Sequence, residues 1–167
     1  MGKQEVQIKQ QKLVKLNKAQ RNSLVIDGAN LIAGRLSSYV AKKLLEGQFV
    51  HVINADKVLL TGNRLSIIAD FKKKLEIGSI VNPEKHGPFH QKHPHEILSK
   101  MIRGMLPRRK THGLEAFRRL RVSVGTPLSP NFSDDPLLEK AKANKPLSFY
   151  LTLGSLSQEF GWKSDSK

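Results

Sequence analysis

The chain has no cysteine among its 167 residues, so it forms neither disulfides nor thiolate metal sites. That absence fits a reducing compartment such as the cytoplasm. No uninterrupted apolar run approaches the ~20 residues a membrane-spanning helix needs, so no membrane partner is expected. The polar, basic start lacks the apolar stretch of a secretory signal. Acidic residues are scarce as well: 14 Asp and Glu stand against 29 Lys and Arg, a formal charge of +15 with a pI near 10.2. A charge that far from zero repels itself unless a polyanion neutralises it, and nucleic acid is the commonest such partner.

What is present allows one core of ordinary size plus extensions, since 38% of the residues are hydrophobic. Residues 1–22 carry Lys3, Lys9, Lys12, Lys15, Lys18 and Arg21 against Glu5 alone. Their few apolar side chains cannot build a core, so this is a basic extension, either a solvated tail or an arm that orders on RNA. The folded core is expected over 23–128. Leu24-Val25-Ile26 reads as a buried strand ended by Asp27-Gly28. Asn30 is placed to cap a helix over 31–46, with Gly47 at its C-terminal cap. Strands follow at 49–53 and 58–60, then a helix from Asn63 to about Ile77. This rhythm predicts crossover units and a mainly parallel sheet of hydrophobic strands, covered by helices on both faces.

From 81 to 95, Pro83, Gly87, Pro88 and Pro94 interrupt any regular element, leaving a loop with His86, His90, His93 and His95. A helix over 96–105 is stopped by Pro107, and Thr111 is placed to cap a short helix over 113–119. A last strand is expected at 120–124. Residues 129–135 read as a linker, and the apolar patch at 147–156 marks a C-terminal extension, 129–167, packed on the core.

Three constellations carry chemistry. Between Lys100 and Arg121 lie eight basic residues, among them Arg103, Arg108, Arg109 and Lys110, and one acid, Glu115. Guanidinium forks grip phosphates bidentately, and several together release counterions from a nucleic-acid backbone. The alternative, a solvated charge run, is outweighed by the net charge. The histidine spacing tempts a zinc reading, but Gly87 and Pro88 forbid the helix that would align a ligand pair, so no metal is expected. His86, His90 and Phe89 remain available to nucleotides or to solvent. Neither a dinucleotide Gly-x-Gly-x-x-Gly nor a phosphate-loop Gly-Lys-Ser/Thr is present, so no cofactor is expected. Thr61-Gly62-Asn63 at a helix start offers backbone amides to a single phosphate.

Residues Val25-Ile26-Asp27-Gly28 with Leu31-Ile32-Ala33-Gly34-Arg35-Leu36 resemble the opening of the universal large-subunit ribosomal protein thirteen family. So do Val52-Ile53-Asn54-Ala55-Asp56-Lys57-Val58 with Thr61-Gly62-Asn63, and Ile102-Arg103-Gly104-Met105-Leu106-Pro107 with Leu120-Arg121-Val122-Ser123-Val124-Gly125. The loop from Asn82 to His90 and the ending Gly161-Trp162-Lys163 resemble its archaeal and eukaryotic branch. The extension over 1–22 departs from the family pattern. The resemblance implies a three-layer α/β/α domain with a four-stranded, mostly parallel sheet. It also implies direct binding to large-subunit rRNA beside neighbouring ribosomal proteins, a role in assembly and translation, and no catalysis. Candidate RNA contacts carried over by motif are Arg35, Lys57, Thr61, Asn63, Arg64, His86, His90, Arg103, Arg108, Arg109 and Lys110. Arg35 has the alternative of a local salt bridge, and Lys57 and Arg64 that of facing solvent. Gly104 and Met105 read as packing residues.

Two rival functions are open from the residues alone. One is a nucleotide- or metal-dependent enzyme on the same scaffold, for which Asp27, Asp56 and the loop histidines are the available titratable groups. The other is an mRNA-binding translational regulator acting outside the ribosome.

Overall fold

Two short apolar runs, Leu24–Asp27 (β1) and Val50–Ile53 (β2), pair in parallel with Ile26 opposite Val52. The computed structural model describes residues 24–82, 85–125 and 136–163. Between β1 and β2 runs α1 (Ala33–Leu45), whose Leu36, Val40 and Leu44 recur at helical spacing and are wholly buried. Gly47, at φ +92°, ends the helix. Its N–H donates to the Leu44 carbonyl and that of Gln48 to the Lys43 carbonyl, the paired bonds of a Schellman cap.

Asn30 does not cap α1 as the sequence suggests. It takes a left-handed turn at φ 59°, and Leu31 and Ile32 are extended residues bridged to Lys142 and Leu59 before the helix begins. Asn tolerates that region better than most residues, so here it serves the turn instead of the helix end.

After β2 a second left-handed Asn, Asn54 at φ 52°, swings the chain into a 3-10 turn, Ala55–Lys57. The strand that follows, Leu59–Thr61 (β3), therefore leaves the parallel sheet. It pairs antiparallel with Tyr150–Thr152 (β5), Leu60 opposite Leu151. This alters the strand count. The parallel sheet has three strands, β1-β2-β4, with β4 at Leu120–Val122, and β3-β5 form a separate two-stranded sheet. The α/β class and the mainly parallel sheet stand. Gly28 marks the crowded junction, because a Cβ there would lie 2.8 Å from Val58 Cγ2 and 2.9 Å from the Ile53 carbonyl oxygen.

Helix α2 (Arg64–Glu76) starts as expected, the Asn63 carboxamide oxygen accepting the Leu65 N–H at 3.1 Å. It has no fully buried residue and rests on the core through Ile67, Ile68 and Phe71. Helix α3 (Pro94–Met105) begins two residues earlier than the pattern suggests, with Pro94 in its first turn. Leu98 and Ile102 carry it into the core, where it packs on α1. Helix α4 (Thr111–Arg118) contains Thr111 instead of being capped by it, and Lys110 is the cap position.

The chain from 136 onward adds α5 (Pro136–Glu139), β5 and α6 (Leu153–Glu159). Leu151, Leu153 and Leu156 are buried in the same cluster as Ile26 and Leu98, so this segment completes the core. The expected basic arm over 1–22 and the linker over 129–135 lie outside the described residues.

Candidate nucleic-acid interface

The basic turn is built by the stop of one helix and the start of the next. Leu106 drops into the core behind α3, and Pro107 cannot continue the helix. The Lys110 N–H donates to the Pro107 carbonyl at 3.1 Å, and the Gly113 N–H returns to the Lys110 carbonyl at 3.1 Å. Gly113 is buried, and a Cβ on it would press into the Pro107 carbonyl, with the carbonyl carbon only 2.7 Å away. Only glycine admits that approach.

The result is a fixed loop from which Arg108, Arg109 and Lys110 all project into solvent. None of the three is in an ion pair among the described residues. Arg103, exposed on the last turn of α3, lies over the Phe117 ring at 5.9 Å from its centroid. Lys100, Arg118 and Arg121 extend the exposed positive surface. Unpaired guanidinium and ammonium groups held on a rigid turn are suited to phosphates, since little ordering entropy is spent on contact.

The second group gathers around the end of β3. Arg35 and Thr61 line one depression of about 440 Å³, together with Lys145 and Tyr150 from the C-terminal segment. The Arg35 guanidinium donates to the Lys140 carbonyl at 2.9 Å, so it ties α1 to that segment, and it makes no salt bridge among the described residues. Two of the amides offered by Thr61-Gly62-Asn63 and the following turn are already taken: Gly62 donates to the Phe149 carbonyl and Leu65 to Asn63. Arg64 is paired with Glu159 at 2.6 Å and fastens α2 to α6, so its charge is already matched. Lys57 is exposed at the end of the 3-10 turn. Lys145 and Tyr150 were not legible as site residues, because only the β3-β5 pairing brings them to Thr61.

Thr61 also lines a second, larger groove with His90, Lys74 and Lys100, so the two depressions meet at that residue. His90 Nε2 lies 2.6 Å from the Ile77 carbonyl, which fastens the loop to the end of α2. His86 and Phe89 are exposed on the loop, and Phe89 makes no use of the core. The described residues contain no group of three His, Cys, Asp or Glu able to hold a metal ion. Asp27 accepts from the Ala29 amide and from the Asn54 carboxamide, a turn-forming role.

Two histidines, His51 and His112, escaped the sequence reading, and the first is built into the parallel sheet. His51 sits in β2 opposite Arg121 of β4, and its Nε2 lies 2.9 Å from Ser123 Oγ. Its pKa is lowered from the ordinary value of 6.5, first by burial and then by the Arg121 charge. In sequence it was hidden inside an apolar strand.

The chain is similar to known proteins over most of its length. A family model described as ribosomal protein L13 matches residues 21–129, well over half the chain. A protein of Thermoplasma acidophilum named large ribosomal subunit protein uL13 is 43% identical over 144 residues, covering 82% of this chain and 97% of its own. Proteins of the same name are similar at 37% identity over 139 residues in Methanosphaera stadtmanae and at 39% over 139 residues in Methanocaldococcus jannaschii. Both matches span 83% of this chain, and 97% and 98% of the respective relatives.

Proposed function

The chain belongs to the ribosomal protein L13 family, in its archaeal-type branch, and on that premise we propose that it is a structural constituent of the large ribosomal subunit. It works by binding and acts as no enzyme. Its partners are large-subunit rRNA and neighbouring proteins of the subunit, and its place is the ribosome in the cytoplasm.

The observation that carries the reading at residue level is the hydrogen-bonded turn of Arg108, Arg109 and Lys110, exposed and without an ion pair among the described residues, on a chain of charge +15. These three, with Arg103, form the principal phosphate clamp. Arg35, Lys57, Thr61, Asn63 and the loop histidines His86 and His90 make secondary contacts. Arg64 contributes only where RNA displaces Glu159. Recognition is of backbone and shape, with little reading of base edges. Residues 1–22 act as a basic extension, 23–128 as the rRNA-binding core and 129–167 as a C-terminal extension that closes that core.

The test is to titrate the purified chain onto a transcript of its large-subunit rRNA at several salt concentrations. Affinity falls steeply and log-linearly with salt. Affinity indifferent to salt contradicts the phosphate clamp.

A further inference from the structure

We infer that the cleft at the carboxyl end of β4 takes up a single unstacked RNA nucleobase, with Trp162 as its stacking surface. The cavity, about 770 Å³ in volume, is lined by His93 and His95 at the start of α3, by Ser123 and Gly125 beyond β4, and by Trp162 and Lys163. Its size falls in the range of small-ligand sites, roughly 300–1,000 Å³. It lies outside the carboxyl end of β4, an edge strand of the parallel sheet.

The lining matches a base with its attached phosphate. Trp162 is half-buried, so one part of the indole is held while another stays available. The imidazoles of His93 and His95 lie 5.6 Å apart at a tilt of 41°. Each ring offers a flat face and polar nitrogens able to bond a base edge. Lys163 is exposed at the rim and supplies a positive charge for the phosphate.

The frame around the cleft is firm. Asn54 donates to the Gly125 carbonyl at 3.1 Å and Ala55 to the Ser123 carbonyl at 3.1 Å. Ser123 is further fixed by His51, 2.9 Å from its hydroxyl. The Trp162 backbone N–H donates to the Ser157 carbonyl at 3.0 Å, tying the indole-bearing segment to α6. Polar aromatic rings around a preformed cavity, on a strongly basic chain, favour a nucleobase over a plain anion.

This deepens the reading of the chain as an rRNA binder and rests on it. The experiment exploits the fact that Trp162 is the only tryptophan. The full chain is titrated with a single-stranded oligoadenylate, with an abasic oligomer of the same length and charge, and with AMP. Binding is followed both by anisotropy of end-labelled oligomers and by Trp162 fluorescence. The expected result is quenching by the oligoadenylate, none by the abasic oligomer, and an affinity about tenfold weaker in Trp162→Ala. In His95→Gln, which keeps polar atoms while removing the ring, quenching falls; in Arg109→Ala total affinity falls while quenching at saturation persists. Equal quenching by AMP at the same affinity assigns the same base site to a free nucleotide. Oligomer binding without quenching, or equal quenching by the abasic oligomer, overturns the base site and leaves the phosphate clamp standing. No binding of any oligomer overturns both.

Discussion

Gly113 meets Pro107 so closely that no side chain fits between them, and this contact fixes the geometry of the basic turn. Helix formation alone would favour alanine over glycine at this position of α4, by up to ~1 kcal/mol. The Pro107 carbonyl reverses the sign. Gly113→Ala is expected to destabilise the fold by about 1–3 kcal/mol, because the turn must shift to admit the methyl group. Thermal unfolding checks the stability. A Tm equal to or above that of the parent chain would show that the turn yields freely.

The clamp predicts a change of slope as well as of affinity. Replacing Arg108, Arg109 and Lys110 together by alanine is expected to flatten the dependence of log K on log salt by about 2–3. The three side chains are exposed and make no ion pairs among the described residues, so stability should hardly change. Weaker binding with an unchanged slope would mean that these residues hold something other than phosphates.

The C-terminal segment is expected to unfold with the core. Leu153 and Leu156 are buried together with Leu98 and Ile102. Leu153→Ala should therefore cost about 2–5 kcal/mol, the range for a deep core leucine, in one cooperative urea transition. Two transitions, or a loss within a few tenths of a kcal/mol, would mark the segment as a loosely attached appendage.

His51 gives the fold a pH dependence of known sign. Its folded pKa lies below the ordinary 6.5, so the unfolded chain binds the proton more readily. Its contribution is complete above about pH 6.5. It diminishes as pH falls from there through the lowered folded value. His51→Gln should remove that part of the acid sensitivity while keeping a partner for Ser123. Urea midpoints for both chains between neutral and mildly acidic pH check this. Parallel curves would contradict it.

The sequence made the local elements legible and left the distant pairings hidden. Apolar runs such as Val50–Ile53 announce strands, and Asn63 before an apolar pattern announces a helix start, because both signals act within a few residues. The departure of β3 from the parallel sheet depends on Asn54 turning left-handed and on a partner at Tyr150–Thr152, far along the chain. Neither leaves a local pattern. The basic turn was readable from Pro107 and the residues that follow, yet its rigidity rests on the Gly113 contact. The neighbours of Thr61 and the shift at His51 likewise come from other elements: Lys145 and Tyr150 in one case, burial within the sheet and the Arg121 charge in the other.

The central claim is tested most directly by fractionating the source cells on a sucrose gradient after a moderate-salt wash and measuring this chain in each fraction. The account predicts one copy per large subunit, resisting the wash. Recovery only among free soluble proteins would contradict it.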